Sequence, residues 1–291
     1  FGGFYYGNST LANALTRSDN AVFAAVGIKV GTKKVAATAN RMGIRTPIST
    51  NYAMTLGGLK QGVTPLDMAH AYETFAEDGE LVTGSLAAND GPVGIKKITS
   101  LETGDLIERN KRVEHRAISA KAARISRNLL EGPVKFGTAK LARIPGQVIM
   151  GKTGTTENNG DAWFVGFTKK YTVAVWVGYP DSVKSMNIDY FGKEVTGGTF
   201  PAAIWRQFML RMLEIDESRA PKSKKTKQST LTTGTIPAAP TDTAPAEAET
   251  ETATTPPAAT TTPTPTTTTT PMTPVQPQTG TGPTGGTGTL P

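Results

Sequence analysis

The chain has 291 residues, carries a net charge of +7 and contains no cysteine. That length accommodates one large or two modest domains, and the missing cysteines exclude disulfides, thiolate metal sites and cysteine nucleophiles together. The charges of residues 216–291 nearly cancel, so the positive surplus belongs to the first 215 residues, but no nucleic-acid module or aromatic–basic interleaving accompanies it.

Residues 10–17, TLANALTR, place apolar groups on one helical face. Asn20 is a candidate cap for the helix AVFAAVGIKV, which Gly31 stops, and Thr32 for KKVAATANRM, which Gly43 stops. The segment VTPLDMAHAYETFAEDG carries the fullest helix signature. Thr64 sits at the cap, Pro65 in the first turn, Asp67 three residues after the cap and Gly79 past the end. Its apolar face is expected to comprise Leu66, Ala69, Tyr72 and Ala76, with Met68 and Phe75 alongside. Before the next helix, IKKITSLETGDLIER alternates on both sides of Glu102-Thr103-Gly104-Asp105, the pattern of a hairpin. SAKAARISRNLLEG then repeats the capped-helix design from Ser119 to Gly132.

QVIMGKTGT, AWFVGFT and YTVAVWVGY are three β-rich runs whose short links favour antiparallel neighbours. Thr199 and Pro201 open a last helix, PAAIWRQFMLRMLE. The order predicts an α+β domain over residues 1–215, with helices packed on an antiparallel sheet. Residues 216–291 include TTPPAATTTPTPTTTTTP and lack the apolar content to offset chain entropy, so a disordered Thr/Pro-rich tail is expected there.

One lysine admits two chemistries. Gly146 to Thr153 fits the phosphate-loop pattern G-x-x-x-x-G-K-[ST], whereas Lys152-Thr153-Gly154 is also the third signature of serine acyl-transfer enzymes that act on penicillin and peptidoglycan. A phosphate loop needs a helix starting at its Lys-Thr. Here Val148-Ile149-Met150 is strand-like, Gly154 to Gly160 is poor helix material, and no β-α-β alternation surrounds them. A lysine on an exposed strand edge fits better, with Thr153 and Thr155 hydroxyls for a substrate carboxylate and Gly154 for close approach. Ser18-Asp19-Asn20, between the first two helices, supplies the S-x-N element of the same set, although Ser, Asp and Asn are also common helix caps.

From Phe1 to Leu213 the chain resembles the transpeptidase domain of class A penicillin-binding proteins. TLANALTRSDNAVF is similar to the family's segment around its second motif, GGLKQGVTPLDMAHAYETFAEDG to its following helix, and GKTGTTENNGDAWFVGFT with AVWVGYP to its third-motif strand and the two strands beyond. The resemblance implies the serine β-lactamase/penicillin-binding transpeptidase fold and an enzyme that cross-links peptidoglycan stem peptides and is acylated by β-lactams. It assigns Lys152 to the substrate carboxylate and the proton network. Thr153 and Thr155 would contact that carboxylate, and the Thr155 N–H would form half an oxyanion hole. Ser18 would relay a proton to the leaving amine, and Asn20 would orient the substrate carbonyl. Asp161 and Trp163 read as structural. No metal, cofactor or nucleic acid is expected, and the location implied is the extracytoplasmic face of a bacterial membrane.

The family's nucleophile belongs to S-x-x-K, and no serine in this chain has a lysine three residues on; Ser119-Ala-Lys121 and Ser182-Val-Lys184 are one residue short. The chain opens with Phe1 and shows no leader. The nucleophile, the other oxyanion donor and a membrane anchor are therefore expected upstream, and the isolated chain is expected to be inactive. Alternatives are a non-catalytic wall-peptide binding module, a D,D-carboxypeptidase, and a β-lactamase. The last needs a second base, and Glu73, Glu77 and Glu80 show no omega-loop pattern.

Overall fold

The computed structural model describes residues 7–220. The backbone divides into a unit from Phe1 to Pro240 and a second from Thr241 to Pro291, and every described residue belongs to the first. Apart from residues 216–220, the expected Thr/Pro tail lies outside the described residues.

Helix α1, Leu11–Arg17, begins where the Thr10 hydroxyl accepts the Asn13 N–H and ends at Ser18, which is left-handed (φ 59°, ψ 48°). Helix α2, Asn20–Val30, is capped by Asp19 and not by Asn20: the Asp19 carboxylate accepts the Val22 N–H at 3.1 Å. Asp and Asn cap about equally well, so adjacent candidates are not separable locally. Thr32 is likewise not a cap. It is the first residue of α3, Thr32–Arg41, behind Gly31 (φ 96°), and its hydroxyl donates to the Thr50 carbonyl at 2.7 Å.

Helix α4, Pro65–Ala76, is capped as predicted, with the Thr64 hydroxyl accepting the Asp67 N–H. Its buried residues are Asp67, His70, Ala71 and Thr74, however, and the predicted Leu66 is 56% exposed. Asp67 can be buried because Arg45 meets it at 2.6 Å, and Thr74 donates to the Met42 carbonyl. Buried polar groups with partners outweigh an apolar count taken along one helix. Tyr72, Phe75 and Ala76 do pack inward, against Phe167, Leu130 and Met150.

Strands β1, Glu80–Gly84, and β4, Arg112–Arg116, pair antiparallel and enclose the predicted hairpin, β2 (Lys97–Thr99) with β3 (Leu106–Arg109). Helix α5 spans Ala120–Lys135 behind a Ser119 cap and does not stop at Gly132. A methyl group at Gly132 would collide with the Thr16 hydroxyl, and one at Gly137 with the Thr16 carbonyl. These glycines therefore admit α1 against α5, and Gly132 does not reverse the chain.

The main sheet runs β5 (Met150–Thr155), β6 (Asp161–Phe167), β7 (Thr172–Gly178), antiparallel in that order. Its first strand starts at Met150, two residues later than the apolar run suggests, and Val148 is 58% exposed. On one face Tyr72 and Phe75 of α4 and Leu130 of α5 pack against Met150 and Phe167. On the other lies α6, Phe200–Arg219. Trp205 of α6 is fully buried. It meets the Phe164 ring edge-on at 5.4 Å, and its indole donates to the Gly166 carbonyl at 3.2 Å. Gly151 and Gly166 make room for that Phe164 ring. Helix α6 continues past the residue-215 boundary, and Asp216 accepts from the Tyr171 hydroxyl at 2.8 Å. Among the described residues no helix is long and apolar enough to cross a membrane.

Candidate active site

Lys152 is the third residue of β5, and β5 is an edge strand. After Thr155 comes only the short turn Glu157–Asn159. No helix begins at Lys152-Thr153, so the amide cradle of a phosphate loop is missing and that alternative falls.

The structure brings Lys152 to Ser18 across 134 residues of chain: its Nζ donates to Ser18 Oγ at 2.7 Å and to the Thr153 carbonyl at 2.9 Å. The left-handed turn at Ser18 ends α1 beside the strand, and the Asp19 cap restarts the chain as α2 with Asn20 in its first turn. Ser18, Asn20, Thr153 and Thr155 all line one cleft of about 540 Å³. Thr153 Oγ1 lies 2.7 Å from Thr138 Oγ1, a hydrogen bond in which either hydroxyl can donate. Thr155 Oγ1 accepts the Gly197 N–H at 3.0 Å, which leaves its own proton to donate.

Lys152 itself lines a neighbouring groove with Leu15, Tyr72, Phe75 and Leu129, and meets the cleft wall through its hydrogen bond to Ser18. Burial there pulls the Lys152 ammonium down to about 8, and it pushes the Tyr72 phenol up to about 12. Lys152 thus carries a proton at neutral pH that it can release within reach of a serine hydroxyl.

A methyl at Gly154 would meet only the Trp163 side chain, at an ordinary 3.4 Å, whereas one at Gly197 would collide with the Trp163 carbonyl and lie 2.7 Å from the Gly154 carbonyl, so it is Gly197 that must stay small where the Thr196–Gly198 segment lies against β5. Asp161 accepts the Trp176 indole N–H at 2.8 Å, and Trp163 packs across from Trp176, consistent with structural roles. Sequence reasoning missed Thr138, Asn159, Glu194 and Thr196 in the cleft wall. They come from loops with no periodicity, and only their polarity could have marked them.

The glycine contact under α1 is testable. Gly137→Ala forces a methyl into the Thr16 carbonyl and should lower stability by about 1–3 kcal/mol. A denaturant midpoint that does not move would show that α1 is not docked this way.

Residues 3–204 match the penicillin binding protein transpeptidase domain. A penicillin-binding protein 1A from Aquifex aeolicus is 34% identical over 204 residues, 70% of this chain and 26% of that protein. The chain belongs to the penicillin-binding transpeptidase family. Penicillin-binding protein 1F of Bacillus subtilis is 33% identical over 213 residues, covering 70% of this chain and 27% of that one. Penicillin-binding protein A of Mycobacterium tuberculosis, solved as an imipenem acyl-enzyme complex, superposes with a TM-score of 0.57 at 25% identity, over 73% of this chain and 50% of that chain. PonA1 of the same organism shares the fold, with a TM-score of 0.61 at 23% identity over 85% of this chain and 65% of that chain. This penicillin-binding transpeptidase chain spans about a quarter of the length of the curated relatives it matches.

Proposed function

We propose that the chain is the recognition half of a serine D,D-transpeptidase that cross-links peptidoglycan stem peptides and binds β-lactams. The Lys152–Ser18 hydrogen bond at the cleft wall carries this reading, because it joins an ammonium of lowered pKa to a hydroxyl in a domain of matching family. Lys152 attracts the terminal carboxylate of a peptide or β-lactam, with Thr153 and Thr155 as hydroxyl donors. Ser18 relays a proton from Lys152 to the leaving amine, and Asn20 orients the substrate carbonyl. The Thr155 N–H supplies one oxyanion donor, a group typically worth about 3 kcal/mol. The residues beyond Arg219 follow as a Thr/Pro tail, later than residue 215 because of the length of α6. The cleft works on the extracytoplasmic side, where stem peptides are, in a protein held at the membrane.

The nucleophile is a serine outside this sequence, since no S-x-x-K occurs in it. A fluorescent penicillin should therefore leave the isolated chain unlabelled and label a longer protein that carries the motif. Covalent labelling of the isolated chain would overturn this account. The same missing motif favours, as a second reading, a module that binds wall peptide reversibly without chemistry; an unlabelled longer protein that still binds peptide would select it. A D,D-carboxypeptidase differs only in using water as acceptor, and product analysis separates the two. The three glutamates weighed as the second base of a β-lactamase are engaged elsewhere. Glu73 accepts from His70 Nδ1, Glu77 pairs with Arg112, Glu80 pairs with Arg116, and none lines the cleft.

A further inference from the structure

Three cationic side chains converge where α6 meets the short turn Lys140–Ala142. Ala139 and Ala142 are fully buried in the core around Trp205, which pins the turn against the helix. Lys140 and Arg143 stay exposed beside Arg206 of α6, and the three line a pocket of about 210 Å³. No carboxylate lines it among the described residues, and none of the three cations forms an ion pair there. Elsewhere Arg45, Arg112, Arg116 and Arg127 each meet a carboxylate. The pocket shares no lining residue with the cleft of Ser18.

Two donors of this pocket are held in place. Arg206 Nε donates to the Arg143 carbonyl at 2.9 Å, which orients the guanidinium and leaves its two terminal nitrogens without a partner among the described residues. Tyr190, also in the lining, is 6% exposed, and its ring packs edge-on against Phe191 and Phe200 at 5.1 and 4.8 Å. Its hydroxyl has no hydrogen-bond partner among the described residues and is not sealed from solvent. A largely buried phenol ordinarily finds a partner, so this one is a donor open to an oxygen acceptor. The donors also select among anions. A carboxylate presents two oxygens, which one arginine fork satisfies. A phosphate adds a third oxygen and more negative charge, which suits three cations and a phenol.

We propose that Lys140, Arg143, Arg206 and Tyr190 form a binding site for a phosphate group. The Arg206 fork takes two of its oxygens, and Lys140, Arg143 and the Tyr190 hydroxyl serve the remainder. Free phosphate and the headgroup of an anionic lipid present the same chemistry. The site goes beyond the transpeptidase reading and does not depend on it.

The test is an NMR titration of the isotope-labelled chain with inorganic phosphate, to about 20 mM at an ionic strength held constant with sodium chloride. The Tyr190 and Ala203 amides should shift and saturate. Arg206→Gln should weaken binding about tenfold. Tyr190→Phe keeps the ring packing and should weaken it about threefold, which decides the matter should Arg206→Gln fail to fold. Lys33→Gln, which removes the same charge from the exposed face of α3, should change nothing. Sedimentation with phosphatidylcholine vesicles containing phosphatidylglycerol separates the sources. Phosphate shifts without vesicle binding assign the site to free phosphate, and vesicle binding that Arg206→Gln lowers about tenfold assigns it to a lipid headgroup. Neither shift nor vesicle binding, or binding that Arg206→Gln and Tyr190→Phe leave at full strength, would overturn the proposal.

Discussion

Replacing Lys152 with methionine should weaken function and strengthen the fold at once. In a longer protein that carries the S-x-x-K motif, acylation by a fluorescent penicillin should slow by about a hundredfold or more, the scale of a lost proton-transfer group. Stability should move the other way. Burial sets the folded pKa of Lys152 at about 8, below the roughly 10.4 of an exposed lysine. The folded state therefore releases this proton first. Stability of the unmodified chain should rise as pH climbs from about 8 to about 10.4, and below that window the buried ammonium costs about 3 kcal/mol. Lys152→Met removes that cost together with the bonds to Ser18 and Thr153, so a gain of about 1–3 kcal/mol is expected at pH 7, with no rise above pH 8. Urea unfolding at pH 7 and pH 10 checks both. A variant less stable at pH 7, with an unchanged rise above pH 8, would mean that Lys152 is well solvated.

Trp205→Ala should be the most damaging single core change, costing about 4 kcal/mol. It empties the space between α6 and the sheet, strips the Phe164 ring of its edge-on partner and leaves the Gly166 carbonyl without its donor. Against a total stability of about 5–15 kcal/mol this is a large fraction. The urea midpoint should fall with little change in slope. Trp205→Phe should recover part of the loss, because it refills most of the volume without restoring the hydrogen bond. Equal losses for both variants would assign the effect to the indole N–H alone.

The sheet and the lysine were legible because their signals are local. Three β-rich runs joined by short links can hardly pair otherwise, and Lys152-Thr153 without a helix behind it cannot build a phosphate loop. Where partners lie far along the chain, legibility stopped. Asp67 counts as a polar position until Arg45 is known to reach it, and this misplaces the buried stripe of α4. Gly132 looks like a helix stop until Thr16 is found pressed against it. Asp19 and Asn20 are equivalent candidates until one accepts the Val22 N–H. In the cleft, Ser18, Asn20, Thr153 and Thr155 follow from motif spacing. Thr138, Asn159 and Glu194 arrive from separate loops, and only the folded chain places them together.

The Ser18–Lys152 hydrogen bond joins the first described helix to a strand 134 residues later. Closing so long a loop is entropically costly, and contacts of high sequence separation generally form late in folding. The cleft is complete only where α1 lies against α5, at the contact of Thr16 with Gly132 and Gly137. Ligand binding therefore reports on the docking of a seven-residue helix. A partial opening that frees only that helix would erase the site while leaving the spectroscopic signature of the sheet intact.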